Sequence, residues 1–216
     1  MIKPVALAGI LNLVSIASAD LFYNIDSVTS DTAATDFYPA NRLIEGPGTG
    51  FDAAEPHNRL GTLTWVTNAP NGGTGDYFNP VPAVAPRLVF DLGGDRPLHE
   101  ISIWGYSDGN GNGANQVSLR FATEAEGSTG FGTSISFNPT YTPFQDVNPR
   151  QSFDFGQVVT ARYVELTPED NFFQIAPPGG DRVGLGEVAF AQIPEPSAGS
   201  LLLLGAVLIG ARLRAK

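Results

Sequence analysis

The chain has 216 residues, 42% of them hydrophobic and 16% charged, with 22 acidic against 12 basic residues and no cysteine. That composition is globular, and the missing cysteine excludes a disulfide framework or a Cys-based metal or redox site. Between residues 20 and 193 eight arginines face 21 acids, a balance near −13 that repels phosphate backbones and excludes a nucleic-acid partner.

Residues 1–19 have a basic start at Lys3, an apolar run from Val5 to Ile16, and the small residues Ala17-Ser18-Ala19. This pattern reads as a signal peptide with a helical apolar segment, cleaved before Asp20; a buried N-terminal helix is the alternative. Phe22, Ile25 and Val28 then predict a short first strand. Asn41–Gly50 has the glycine density of an irregular loop whose carbonyls can point inward. Leu60–Val66 alternates as a strand that places Trp65 in the core. Asn68–Pro86 is too rich in Pro and Gly for regular pairing, and loops of that length in compact domains are often functional. Its exposed pair is Tyr77-Phe78.

Pro86–Tyr106 alternates cleanly. Leu88, Phe90 and Leu92 share one face while Arg87, Val89 and Asp91 share the other, and Ile101 and Ile103 follow after Gly93, Gly94 and Pro97. Period-two alternation broken by glycines predicts a hairpin of two half-buried strands, with Trp104 in or near the core. Ser107–Asn115 sets Asp108, Asn110 and Asn112 at calcium-loop spacing. An EF-hand loop requires an acid at its twelfth position, which here is Leu119, so the segment reads as a turn-rich loop. Further strands are predicted over Gln116–Thr123, Gly132–Asn138, Arg150–Phe155, Thr160–Thr167 and Gly184–Phe190. No amphipathic helix is evident between residues 20 and 193. Short strands separated by Gly/Pro turns predict an all-β sandwich or barrel in a single domain, 20–193.

Residues 194–216 open with Pro194-Glu195-Pro196, continue as an apolar run from Ala198 to Ala211, and end with Arg212, Arg214 and Lys216. As a helix, the apolar run spans about 21 Å, short of a hydrocarbon core of about 30 Å. Its basic end is held in the cytoplasm by the positive-inside rule. Either a lasting transmembrane anchor or a segment lodged only transiently in the inner membrane fits.

A Pro-Glu-Pro triplet, an apolar run and a basic tail, paired with a signal peptide, resemble the PEP-CTERM sorting signal. That resemblance implies export in a Gram-negative bacterium, recognition by an exosortase, and delivery to the cell surface or the extracellular biofilm matrix. The body separately resembles discoidin-like, coagulation-factor-C-type (galactose-binding-like, jelly-roll) β-sandwiches. The matching pieces are NRLIEG at 41–46, LVFDLGG at 88–94, ISIWGY at 101–106, ARYVEL at 161–166 and GLGEVAF at 184–190.

The discoidin resemblance implies a structural calcium ion with Glu45 and Glu187 as side-chain ligands and carbonyls around Arg42–Gly48. Glu45 stands where the family more usually has Asp or Asn. A surface Glu45 with Glu187 paired to an arginine is the alternative. The resemblance also implies a ligand site in the loops at one end, where this chain offers Tyr77, Phe78, Tyr106, Asn110, Asn112, Phe172, Phe173 and Arg182. Sugars are recognised by apolar faces with a few polar anchors, a combination these residues supply. Against that, Phe172-Phe173 also reads as a core cap and Tyr106 as a neighbour of Trp104.

Catalytic constellations are lacking. His57 and His99 have no metal-ligand spacing, and no Gly-x-Ser-x-Gly elbow is present. The acid pairs Glu124/Glu126 and Glu169/Asp170 sit on turns, whereas glycoside hydrolysis needs carboxyls converging across a cleft. The expected function is therefore non-catalytic binding of an extracellular polysaccharide or glycan. The alternatives are a purely structural matrix protein or a polysaccharide hydrolase.

Overall fold

Leu88, Phe90 and Leu92 are fully buried, as their alternation predicts. They lie on the strand around which a computed structural model of the chain is built. The structure describes residues 22–32, 38–45, 57–58, 64–69, 75–79, 86–106, 110–141 and 147–193. The two terminal helices expected from the sequence fall outside these residues.

The elements in order are β1 (Ser27–Ser30), a 3-10 turn (Ala40–Ile44), β2 (His57–Asn58), β3 (Trp65–Val66), β4 (Leu88–Trp104) and β5 (Ala114–Ala122). There follow β6 (Ile135–Phe137), β7 (Val147–Asn148), β8 (Arg150–Asn171), β9 (Gly184–Leu185) and β10 (Glu187–Phe190). Among the described residues no helix is long and apolar enough to cross a membrane.

Two expectations are corrected. Pro86–Tyr106 is not a hairpin, and Arg150–Phe155 and Thr160–Thr167 are not separate strands. β4 and β8 are single long strands, paired antiparallel from Leu88↔Leu166 to Trp104↔Arg150 with register shifts between Asp91 and Arg96 and between Leu98 and Glu100. The glycines make bulges rather than reversals because both halves of β4 find their partner in β8 instead of in each other. Gly93 takes φ 74°, and a Cβ there would collide with the Asp26 carboxylate. Such bulges bend and twist a strand, which lets one strand serve both layers of a sandwich.

The first half of β4 belongs to the layer ordered β1-β4-β8-β5-β6, while its second half pairs with β10 and with the start of β8. Ring contacts cross between the layers. Phe90 meets Phe190 edge-on at 5.8 Å, and Phe137 stacks on Phe153 at 4.4 Å. Trp65 and Trp104 are buried, in agreement with the sequence reading.

The outer face of the larger layer carries the charges. The buried Glu165 is held by Arg120 at 2.6 Å, with Arg87 at 3.6 Å. Arg162 binds Asp91 at 2.9 Å and holds its carboxyl below the ordinary aspartate range. Glu165 and Asp91 therefore have local arginine partners, an arrangement that serves the sheet and does not mark a site.

β10 fixes the polarity of the domain. The chain enters it from β9, where the Gly184 N–H donates to the Asn112 carbonyl at 2.7 Å, and just beyond it Ala191 bridges Phe22. One end of the sandwich thus gathers residues 105–106, 110–113, 139–141 and 171–184. The other gathers both chain ends of the domain.

A cleft at the loop end

The loop end is organised by two buried amides. Asn171, 2% exposed, donates from Nδ2 to the carbonyls of Gly180 (2.8 Å) and Arg182 (2.9 Å), and its Oδ1 accepts the Phe173 N–H at 3.0 Å. Asn112, 8% exposed, accepts the Gly180 N–H at 2.6 Å, and Asn110 Oδ1 accepts the Asn112 N–H at 2.9 Å. Gly180, at φ 102°, allows this approach, since a Cβ there would strike the Phe173 side chain. Loops have few backbone partners of their own, so side-chain amides that satisfy several carbonyls and N–H groups hold them in one shape. The Tyr77 N–H adds a third tie, to the Gly180 carbonyl at 2.7 Å.

Within this frame lies a shallow cleft open to solvent, lined by Gly105, Tyr106, Asn110, Gly113, Ala114, Pro139, Thr140, Tyr141 and Phe172. The Tyr141 and Phe172 rings meet edge-on at 5.3 Å. The 139–141 segment is fixed to β8 by Gln151, whose Oε1 accepts the Thr140 N–H at 2.7 Å and whose Nε2 donates to the Thr140 carbonyl at 2.9 Å. Among the described residues the lining contains aromatic rings, an amide and hydroxyls, and no carboxylate, arginine, lysine or histidine. Such a wall can stack against an apolar face and exchange hydrogen bonds at its edges. Among the described residues it holds no acid–base pair for hydrolysis.

Of the residues expected at the site, Tyr106, Asn110 and Phe172 line the cleft. Asn112 stands behind it as a structural amide. Tyr77 is 2% exposed, with its ring inside the core and burial raising its hydroxyl pKa. Phe78 is half-buried against Tyr77, with ring centroids 5.0 Å apart. Phe173 packs beside Gly180, and Arg182 is turned onto Asp181 at 3.4 Å. These four share the end of the sandwich but lie outside the lining.

Pro139, Thr140 and Tyr141 were missed. They fall in a short stretch after β6, and the aromatic at 141 beside Pro139 was the one available signal. The acid pairs lie away from the cleft: Glu124 pairs with Arg162, and Glu126 accepts the N–H and hydroxyl of Thr123.

Glu45 and Glu187 lie on neighbouring pieces of chain, the end of the 3-10 turn and β10. Glu45 accepts Asn41 Nδ2 at 2.6 Å and pairs with Arg42 at 2.5 Å. An arginine on that carboxylate supplies the positive charge a cation would bring, and among the described residues no group of three or more His, Cys, Asp or Glu could hold a metal ion. Residues 46–48, which complete the expected loop, fall outside the described residues, as do Pro194, Glu195 and Pro196.

The fold is that of the family 32 carbohydrate-binding modules, a discoidin-like β-sandwich. The two-module CBM32-1 and CBM32-2 structure from Clostridium perfringens ZmpB matches at 14% identity and a TM-score of 0.53, covering 79% of this chain and 36% of that one. The same modules in complex with GalNAc match at 13% identity and a TM-score of 0.51, over 79% of this chain and 35% of that one. A longer ZmpB chain that includes its M60 catalytic domain gives 14% and 0.53, with 79% of this chain and 14% of that one covered.

The carboxyl-terminal segment is separately informative. Residues 192–216 match the PEP-CTERM protein-sorting motif, so the chain carries the signal of an exported protein. No curated protein matches the sequence.

Proposed function

We propose that this protein is a non-catalytic, exported glycan-binding protein that holds an uncharged sugar residue of an extracellular polysaccharide in the cleft at its loop end. The observation that carries the reading is the lining itself: Tyr106, Tyr141 and Phe172 beside Asn110 and Thr140, with no charged side chain among them. Ring faces cover the apolar side of a sugar, while an amide and hydroxyls meet its hydroxyl groups. The domain's net negative charge disfavours acidic polymers. A glycan screen of the full chain tests this, with neutral glycans bound and the binding little affected by salt. Binding confined to acidic glycans, or to none, defeats the proposal, and the second outcome leaves a structural role at the surface.

The sorting motif supports processing by an exosortase-type enzyme on the way to a Gram-negative cell surface or matrix. Intact-mass measurement of the native protein should show that the segment after Pro196 is gone. A mature protein that retains Lys216 contradicts it.

Calcium at Glu187, Glu45 and the carbonyls of the adjoining loop is a further proposal, and it requires Arg42 to release Glu45. A cation that binds only the folded state stabilises it by about 2.7 kcal/mol at a hundredfold excess over Kd. Melting should rise by several degrees in calcium relative to chelator, and Glu187→Ala should abolish the difference. Identical melting temperatures in the two conditions remove calcium from the account.

A further inference from the structure

We infer that the loop from Phe172 to Gly180 is a second contact surface, a rim beside the cleft that meets the sugar unit linked to the one held inside. The ligand is then a run of linked neutral units rather than a single terminal one. This inference rests on the reading of the cleft proposed above and adds a subsite to it.

The loop leaves the cleft and comes back to it. It starts at Phe172, which lines the cleft and whose carbonyl accepts the N–H groups of Ile175 and Ala176, both at 3.0 Å. It returns at Pro178, whose carbonyl accepts the Gly111 N–H at 3.0 Å, next in sequence to Asn110 of the lining. Contact there is close: a Cβ on Gly111 would sit 3.0 Å from the Gly179 backbone, and one on Gly179 3.2 Å from Asn110 Oδ1. With Ala176 buried at its base, the loop spans one side of the cleft from Phe172 to Asn110.

What the loop presents resembles the lining in chemistry. Residues 172–180, FFQIAPPGG, carry no charged side chain. Gln174, Pro177 and Pro178 are exposed, and Ile175 is 67% exposed. A single exposed isoleucine is ordinary on a protein surface. This one follows Gln174, which at φ 64° is the one non-glycine residue with positive φ among the described residues. Glycine or asparagine ordinarily fills such a turn position, because a longer side chain is strained there. Glycine at 174 would relieve that strain, and it would also remove the amide that the rim offers a ligand. Strain of this kind gathers at ligand-binding sites, where it fixes the direction of a side chain.

The cleft is shallow and open to solvent, so a polysaccharide continues out of it beyond the bound unit. A unit passing over the rim lays its C–H groups on Ile175 and the proline rings and exchanges hydrogen bonds with the Gln174 amide. Because the units are linked, these small contacts are gained without a second loss of translational freedom.

Titration calorimetry of the full chain with neutral gluco-, galacto- and manno-oligosaccharides of one to four units separates the two surfaces. The parent is expected to bind two or more units about tenfold more tightly than one. Ile175→Ser and Gln174→Gly should each weaken binding of the longer chains about fivefold and leave the affinity for a single unit unchanged. Both positions are exposed, so neither variant disturbs the core, and Gln174→Gly should melt no lower than the parent. Tyr141→Ala, by contrast, should weaken binding at every length. Equal affinity of the parent for one unit and for several, or longer chains bound as well by Ile175→Ser as by the parent, overturns the rim and leaves the cleft standing. Binding that is unchanged in Tyr141→Ala, or no binding of any glycan, removes the cleft and the rim together.

Discussion

Asn171→Ala is expected to destabilise the domain by about 3 kcal/mol, from three hydrogen bonds each worth about 1 kcal/mol net. The side chain donates to two carbonyls and accepts one N–H, all from the loop that ends at Arg182. Of those groups the Gly180 carbonyl keeps the Tyr77 N–H, whereas the Arg182 carbonyl loses the bond that Asn171 makes to it. Leaving a buried polar group unsatisfied costs more than the bond itself contributes, so the loop should move to let water in. Phe172 is the next residue in the chain and lines the cleft. Glycan binding should therefore weaken although Asn171 lies outside the lining. Urea unfolding gives the first effect and titration with a bound glycan the second. A loss of stability under about 1 kcal/mol, the net worth of a single bond, would mean that the loop is held by something else.

Tyr141→Ala should reduce affinity for a neutral glycan about thirtyfold, the equivalent of about 2 kcal/mol for an aromatic anchor at the centre of a site. Stability should change much less, because Tyr141 is only half-buried and the segment around it is held through the backbone of Thr140. Asn110→Ala should also weaken binding through a lost hydrogen bond. It removes an acceptor for the Asn112 N–H as well, so its stability must be measured beside it. Tyr77→Ala is the contrasting control, since it empties a buried position and should destabilise before it affects recognition. If Tyr141→Ala folds and binds as the parent does, the cleft is not the site.

These contrasts show where the sequence was legible. Alternation identified the buried set on β4 because a strand face is a local property: Leu88, Phe90 and Leu92 point the same way wherever the strand goes. Alternation could not say that Gly93 and Gly94 bend the strand instead of reversing it. A glycine pair permits both outcomes, and the choice depends on β8, some seventy residues later. For the same reason Phe153 and Val164 read as members of two strands, when one strand carries them to opposite layers.

The loop end divides in the same manner. Composition alone marked the segments around Tyr77 and Asn110 as irregular, and the structure brings both to the end that carries Phe172. Which of them faces solvent is a matter of packing. Tyr77 turns inward onto the core, Asn112 is consumed by the Gly180 N–H, and Arg182 by Asp181. Tyr141 meets Phe172 in the cleft while Gln151, on β8, ties the adjoining Thr140 backbone in place.

By itself the sequence determined the all-β class, the negative charge, the absence of thiol chemistry and the sorting motif at 192–216, because each is written in composition or in a contiguous pattern. Tertiary structure alone decided that β4 and β8 each serve two layers, and that a cleft with no charged side chain among the described residues forms between loops distant in sequence. Those are consequences of long-range pairing and of buried amides finding their partners, neither of which leaves a local trace in the chain.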